Sequence, residues 1–186
     1  MSKSTPDIEP GALLIAPPMM KDPNFFRSVV LLCEHGPEGS FGLILNRRVD
    51  VETDFLQTEL SGYDGGFLLG GPVQTDTLHF LHHFEDVPES IPFMKDVFWG
   101  GDFEFVKSIC KARPVAEDEL KLYIGYAGWG EGQLQGEIDA GGWIVTPGDA
   151  SAVFAQEPDQ LWRKRLRKLG GEYAVMANYP VDPRMN

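Results

Sequence analysis

Apolar positions along this chain fall into short runs separated by glycine and proline, and the alternation of run and turn outlines a sheet-rich domain. Gly11 to Ala16 is apolar and stopped by Pro17-Pro18, which suits a short buried strand. Asp22-Pro23-Asn24 marks a turn. Arg27 to Glu34 predicts a stronger strand, and Phe41 to Asn46 its hairpin partner across the loop His35-Gly36-Pro37-Glu38-Gly39. Phe67 to Leu69 reads as a strand ending at Gly70-Gly71-Pro72, and Thr77 to Phe84, Leu120 to Tyr126 and Trp143 to Val145 extend the sheet.

Three segments carry helical spacing. Thr53 to Leu60 predicts a short helix with Phe55, Leu56 and Leu60 inward. Over Asp102 to Arg113, Asp102 can cap, Phe103, Val106, Ile109 and Cys110 share a face, and Pro114 follows the end. Pro158 to Leu169 has proline in its first turn, a stripe of Trp162, Leu166 and Leu169, and Gly170-Gly171 to terminate it. Strands cluster early, with helices inserted rather than strictly alternating, so the expected class is α+β. One domain is expected over residues 10–186, after a flexible lead-in over residues 1–9.

Bulk composition narrows the function. The chain has 186 residues, 42 % of them hydrophobic, enough for one ordinary core. Its 16 basic and 28 acidic residues leave a net charge of −12, which argues against sequence-independent attraction to nucleic acid or anionic lipid. The start, Met1-Ser2-Lys3-Ser4-Thr5-Pro6-Asp7, has no basic segment leading into an apolar one, and no apolar run approaches the ~18 residues of a spanning helix. A cytoplasmic protein without a membrane partner is therefore expected. Cys33 and Cys110 both sit among apolar neighbours and read as buried free thiols.

Five stretches invite a chemical reading. In Gly125 to Ile138 a strand ends in a glycine-rich turn and a helix begins. With Gly130 as cap, Trp129 and Leu134 occupy the positions of a hydrophobic staple, and Gln133 and Glu137 lie one turn apart. The free N–H groups there can cradle a small anion, or the glycines can serve close packing. In Cys33-Glu34-His35, strand alternation puts Cys33 and His35 on one face and Glu34 on the other. The apolar run around Cys33 points to an unactivated thiol, and His35 to a loop-anchoring hydrogen bonder. Gly39-Ser40-Phe41-Gly42 lacks the first glycine of a nucleophile elbow, where Glu38 stands. His79 and His83, on one strand face, would be roughly 13 Å apart at ~3.3 Å per residue, too far to share a metal, so no metal and no cofactor is expected. Finally Arg163, Lys164, Arg165, Arg167 and Lys168 form a basic run that suits either a solvated helix face or, as a lesser reading, contact with nucleic acid.

Taken in order, Gly11 to Pro17, Phe26 to His35, Gly42 to Asn46, Gly70-Gly71-Pro72-Val73, Gly125 to Ile138 and Leu161-Trp162 resemble the YqgE/AlgH family of small bacterial proteins, from about Gly11 to Gly170. The resemblance implies a bifurcated, mostly antiparallel sheet folded into a partial barrel with flanking helices. It transfers no enzymatic activity, and one branch of the family is associated with transcriptional regulation of alginate synthesis. The family pattern carries an acidic residue where this chain has Gln135.

The leading expectation is a non-catalytic binding or regulatory protein with an unidentified protein or small-molecule partner. Its surface gathers Glu34, His35, Asn46, Gly71, Pro72, Trp129, Gln133 and Glu137. The first alternative is an enzyme on a small anionic or polar substrate, with Glu137 or Glu34 as base and His35 as acid. The second is a DNA-binding regulator using the basic run.

Overall fold

The computed structural model describes residues 8–50 and 54–181. Thr53 and the inward placement expected for Phe55 and Leu56 lie outside the described structure, as does the lead-in before Ile8. Ten strands follow in chain order: β1 (Leu13–Ile15), β2 (Val29–Gly36), β3 (Gly39–Ile44), β4 (Arg48–Val49), β5 (Phe67–Leu69), β6 (Val73–His82), β7 (Ile91–Met94), β8 (Val97–Trp99), β9 (Leu120–Trp129) and β10 (Ile144–Thr146). Among the described residues six helices accompany these strands: α1 (Asp54–Glu59), α2 (Phe103–Ala112), α3 (Gln133–Asp139), α4 (Ala150–Val153), α5 (Pro158–Leu169) and α6 (Gly171–Met176).

The strands form one path, β10-β1-β2-β3-β9-β6-β8-β7, with β5 joined to β9 and β4 to β5. All pairings are antiparallel except that of β5 with β9. The sheet forks at β9. Its C-terminal half pairs with β3 through Ser40–Trp129 and Gly42–Ala127, and its N-terminal half pairs on the same edge with β5 through Phe67–Leu122 and Leu69–Ile124. Gly70 sits in the crotch, donating to the Ile124 carbonyl and accepting from the Ile44 N–H, both at 2.8 Å. The two ends of the path curve toward each other until the Met94 methyl reaches Gly11, leaving a half-barrel open along that seam.

Alternation along the first strands divides the core. Leu13, Ile15, Val29, Leu31 and Leu43 face one side, where they meet Leu161, Trp162 and Leu166 of α5. Leu14, Val30, Leu32 and Ile44 face the other and meet Leu134 and Ile138 of α3. A third cluster under α2 takes Val106 and Cys110, with Phe103 and Ile109 packed beside them. Asp102 caps α2 as expected, its carboxylate accepting from the N–H of Glu104 at 3.0 Å and Phe105 at 3.3 Å. Burying one face of each helix is what holds these short elements, since none is long enough to persist alone in water.

Several expectations are corrected. The β2–β3 hairpin closes on Pro37-Glu38 alone, with His35 and Gly36 inside the ladder opposite Ser40 and Gly39. β9 runs three residues past Tyr126, to Trp129. Leu169 is exposed, so the buried stripe of α5 ends at Leu166. Gly170, at φ 75°, does end α5, yet α6 starts immediately. The β7–β8 hairpin was not foreseen. Its strands are short, one carries Pro92, and Asp96 at φ 59° makes the turn without glycine.

Candidate functional site

Gly125, which opens the stretch read as an anion cradle, meets Gly70 and Gly71 at the fork. A Cβ on Gly70 would lie 2.3 Å from the Gly125 carbonyl oxygen, and one on Gly71 2.1 Å from Tyr126 backbone atoms. Gly125, at φ 67°, is equally confined by the Gly71 and Val73 carbonyls. Only glycine lets backbone pass backbone this closely. Gly71 is accordingly buried, while the adjacent Pro72 is exposed at the surface.

Downstream, the helix begins at Gln133, because Gly132 at φ 69° interrupts the turn that would start at Gly130. The capping relation survives in half: the Gln133 side-chain oxygen accepts from the Gly130 N–H at 3.0 Å. Trp129 and Leu134 are both buried in the core beneath α3. Glu137 then gathers three donors. Its Oε2 accepts from the indole N–H groups of Trp129 at 3.0 Å and Trp143 at 2.8 Å, and its Oε1 accepts from the Gln133 amide at 2.9 Å. Phe25 packs on both indoles, stacked on Trp129 at 6.1 Å and edge-on to Trp143 at 5.4 Å. A carboxylate with charge-assisted bonds to two buried indoles fastens α3 to the end of β9 and to the residue that leads into β10.

Asn46 is similarly engaged. Its Oδ1 accepts from the Val29 N–H and its Nδ2 donates to the Arg27 carbonyl, each at 2.9 Å. The clasp spans Ser28 and stabilises Arg27 at φ 54°, a left-handed conformation uncommon outside glycine. Arg47 adds bonds to the carbonyls of Asn24 at 2.5 Å and Phe26 at 3.1 Å, so the loop before β2 is held from behind.

At the hairpin, a bulge between Leu32 and Glu34 overturns the simple alternation. Cys33 packs with the Leu31 side of the sheet, and Glu34 pairs with Phe41. His35 pairs with Ser40, which in turn pairs with Trp129. Cys33 and His35 thus fall on opposite faces. Cys33 is buried, and burial pushes its thiol well above the usual range, so it is no nucleophile. Glu34 and His35 are exposed, and His35 Nδ1 lies 2.7 Å from Ser40 Oγ.

Beside Glu34, a half-buried aromatic cluster centres on Phe41, stacked on Tyr126 at 4.6 Å and Trp99 at 5.4 Å and edge-on to His79 at 5.1 Å. Sequence reasoning missed it, since its rings come from four separate strands. Of the other histidines, His82 is buried, with Nε2 2.8 Å from the Gly100 carbonyl and Nδ1 accepting from the Phe84 N–H at 3.2 Å. That pattern is a neutral, structural imidazole, and burial lowers its basicity. His83 lies beyond the end of β6, bonded to the Asp96 carbonyl. Among the described residues no His, Cys, Asp and Glu group is arranged to hold a metal.

The basic run is divided among different partners. Arg165 is 8 % exposed and forms a two-pronged pair with Asp149 at 2.7 and 2.8 Å. Arg167 donates to Asn178 and Lys164 pairs with Glu157, each at 2.8 Å, while Lys168 stands 4.0 Å from Asp149. Arg163 is half-buried. The eight nominated surface residues also separate. Glu34, His35 and Pro72 are exposed at the fork end of the sheet, three strands across, and Gln133 is exposed on α3, while Asn46, Gly71, Trp129 and Glu137 serve the fold.

The architecture defines the class: an α+β half-barrel whose forked, mostly antiparallel sheet is knitted by glycines and flanked by helices. Within that class the chain belongs to the AlgH-like family, whose model matches residues 13–174. A UPF0301 protein of Cytophaga hutchinsonii is 38 % identical over 178 residues, covering 95 % of this chain and 98 % of the relative. One from Chlorobaculum tepidum is 38 % identical over 180 residues, covering 96 % of each. A crystal structure of a Corynebacterium diphtheriae protein shares the fold, with a TM-score of 0.78 and 24 % identity over 93 % of both chains. The solution structure of the AlgH protein from Pseudomonas aeruginosa gives a TM-score of 0.71 at 26 % identity, over 98 % of this chain and 100 % of that one. The family is one of uncharacterised function. No helix among the described residues is long and apolar enough to cross a membrane.

Proposed function

We propose that this chain is a non-catalytic binding or regulatory protein that meets its partner at the fork end of the sheet, through Glu34 and Pro72 beside the Phe41 aromatic cluster. The observation that carries this reading is the engagement of Glu137. Its two oxygens already take three N–H donors, so the carboxylate nominated as a general base acts as a fastener. With Cys33 buried and Asn46 clasping Arg27, neither of these side chains is free to act on a substrate. On that face a charge and a proline are exposed next to half-buried rings, the composition of a contact surface.

The test compares Glu34→Arg and Pro72→Asp with a remote change at the exposed Lys111, Lys111→Glu. Partners cross-linked to each full-length variant in cells are quantified against wild type. Residues central to an interface cost about 1.4 kcal/mol or more, so recovery falls by about tenfold for the first two and stays constant for the third. Equal recovery with all three removes the reading. A second reading, an enzyme acting on a small polar substrate, rests on the 2.7 Å approach of His35 Nδ1 to Ser40 Oγ. It requires that Ser40 be labelled by an active-site-directed acylating reagent and that His35→Ala abolish the labelling; absence of labelling removes it.

A further inference from the structure

Away from the fork, the turn after β1 and the segment Met176 to Val181 enclose a groove of about 340 Å³. Its walls are Met19, Met20, Trp162 and Met176, with Tyr179 and Val181 along the outer edge. Met19 is 73 % exposed, Val181 64 % and Tyr179 50 %. A groove of this volume lies at the small end of the ~300–1,000 Å³ range of small-molecule sites. Its three methionines make walls that adapt to the shape of an apolar occupant.

Two cations, Lys21 and Arg27, line this groove, and no Asp or Glu does among the described residues. In a chain of net charge −12 that is a local inversion of sign. Arg27 is the better placed of the two. Its guanidinium lies 4.8 Å from the Trp162 ring centre and 5.3 Å from that of Phe26. One nitrogen, Nη2, donates to the carbonyls of Tyr179 at 2.6 Å and Pro180 at 2.9 Å. Among the described residues it has no carboxylate partner. Burial, and then the neighbouring Arg163, lower its basicity.

The backbone supports the same conclusion independently. Arg27 is left-handed at φ 54°, a conformation that for a non-glycine residue persists only where its surroundings impose it. Those surroundings are the Asn46 clasp and the Arg47 bonds to the Asn24 and Phe26 carbonyls. The loop is thus braced from the sheet side in the geometry that lays Arg27 across Trp162.

We infer that this groove is a binding site for a small amphipathic anion, an apolar tail bearing one carboxylate, with Arg27 receiving the carboxylate and the methionine walls receiving the tail. With Nη2 committed to the Tyr179 and Pro180 carbonyls, Nη1 of the guanidinium is the nitrogen that donates to the carboxylate, and an apolar surround strengthens this charge-assisted bond. The site is distinct from the contact surface at the fork, and neither reading depends on the other.

The experiment is isothermal titration of the full-length protein with decanoate and, separately, with decanol. Wild type binds decanoate saturably and at least about tenfold more tightly than decanol, a difference worth about 1.4 kcal/mol. Arg27→Gln brings decanoate down to the level of decanol. Met20→Glu, which places a carboxylate in the groove without touching Arg27, weakens decanoate more than decanol. Circular dichroism of each variant checks that it is folded, and Lys21→Gln, at an exposed position, keeps a charge test available if Arg27→Gln does not fold. Absence of saturable decanoate binding overturns the inference, and so does equal affinity for acid and alcohol. The chain continues past Val181 with Asp182. If Asp182→Asn raises decanoate affinity tenfold or more, the occupant is the chain's own carboxylate, and the inference of a site for a free ligand fails.

Discussion

At the fork, Gly70 and Gly71 pass so near Gly125 and Tyr126 that no side chain fits between them, and Glu137 spends both oxygens on the N–H groups around it. In the groove beside Trp162, by contrast, a strained arginine is braced from behind and left without a carboxylate among the described residues, against walls of half-exposed methionine and tyrosine. The first region carries nearly all the motifs that stand out in the sequence. The second shares with them only Phe26-Arg27 and Trp162, which none of the chemical readings of the sequence singled out. The difference teaches that a dense pattern of glycines, aromatics and one carboxylate can record a packing requirement, whereas a site for a ligand shows itself by polar groups whose potential is left unspent.

The comparison breaks most severely at the fork glycines. Gly71→Ala puts a methyl group 2.1 Å from backbone that cannot move aside, and the expected loss is about 3 kcal/mol or more by urea unfolding. Gly36→Ala, whose added Cβ meets nothing within 4 Å, stays within about 0.5 kcal/mol. Similar losses for the two would mean the fork tolerates what its geometry forbids.

Next in size is Glu137→Ala. It leaves two buried indole N–H groups without their acceptor, and a loss of about 2–3 kcal/mol is expected in the same assay. A change under about 0.5 kcal/mol would release Glu137 from its structural role and restore it as a candidate base.

Smaller again is Asp149→Asn, at about 1–2 kcal/mol, because Asp149 is more exposed than the Arg165 it pairs with. Bonds from Arg165 hold the Asp149 carboxyl well below the usual carboxylate range. Its contribution is therefore complete above the unfolded-state value of about 3.9, and it is lost as pH falls through the lower folded-state value. Wild type should lose stability on acidification below about pH 4 more steeply than Asp149→Asn does. Parallel pH profiles would show that the pair contributes nothing measurable.

Much of the fold was legible in the order of residues because the relevant signals are local. Asp102 capping α2, Pro158 opening α5, the apolar runs of β1, β2 and β3 and the burial of Cys33 and Cys110 follow from periodicity and side-chain chemistry within a dozen positions. The misreadings have equally specific causes. The bulge at Cys33 moved His35 to the opposite face from the one that alternation assigns, because one extra residue inverts every side chain after it. The hairpin of β7 and β8 was hidden by its short strands and by a turn made without glycine.

By itself the sequence determined an acidic α+β domain with a core, two buried thiols and a run of motifs resembling one family. Only the tertiary structure decided what those motifs are for. Whether Gly71 faces a ligand or the Tyr126 backbone, whether Glu137 meets water or two indoles, and whether Arg165 is exposed or paired with Asp149 depend on segments distant in sequence. So does the setting of Arg27, which joins a turn near the N-terminus to Trp162 and Tyr179 near the other end of the chain. Local propensity reports what a residue can do, and the company that folding assigns to it decides what it does.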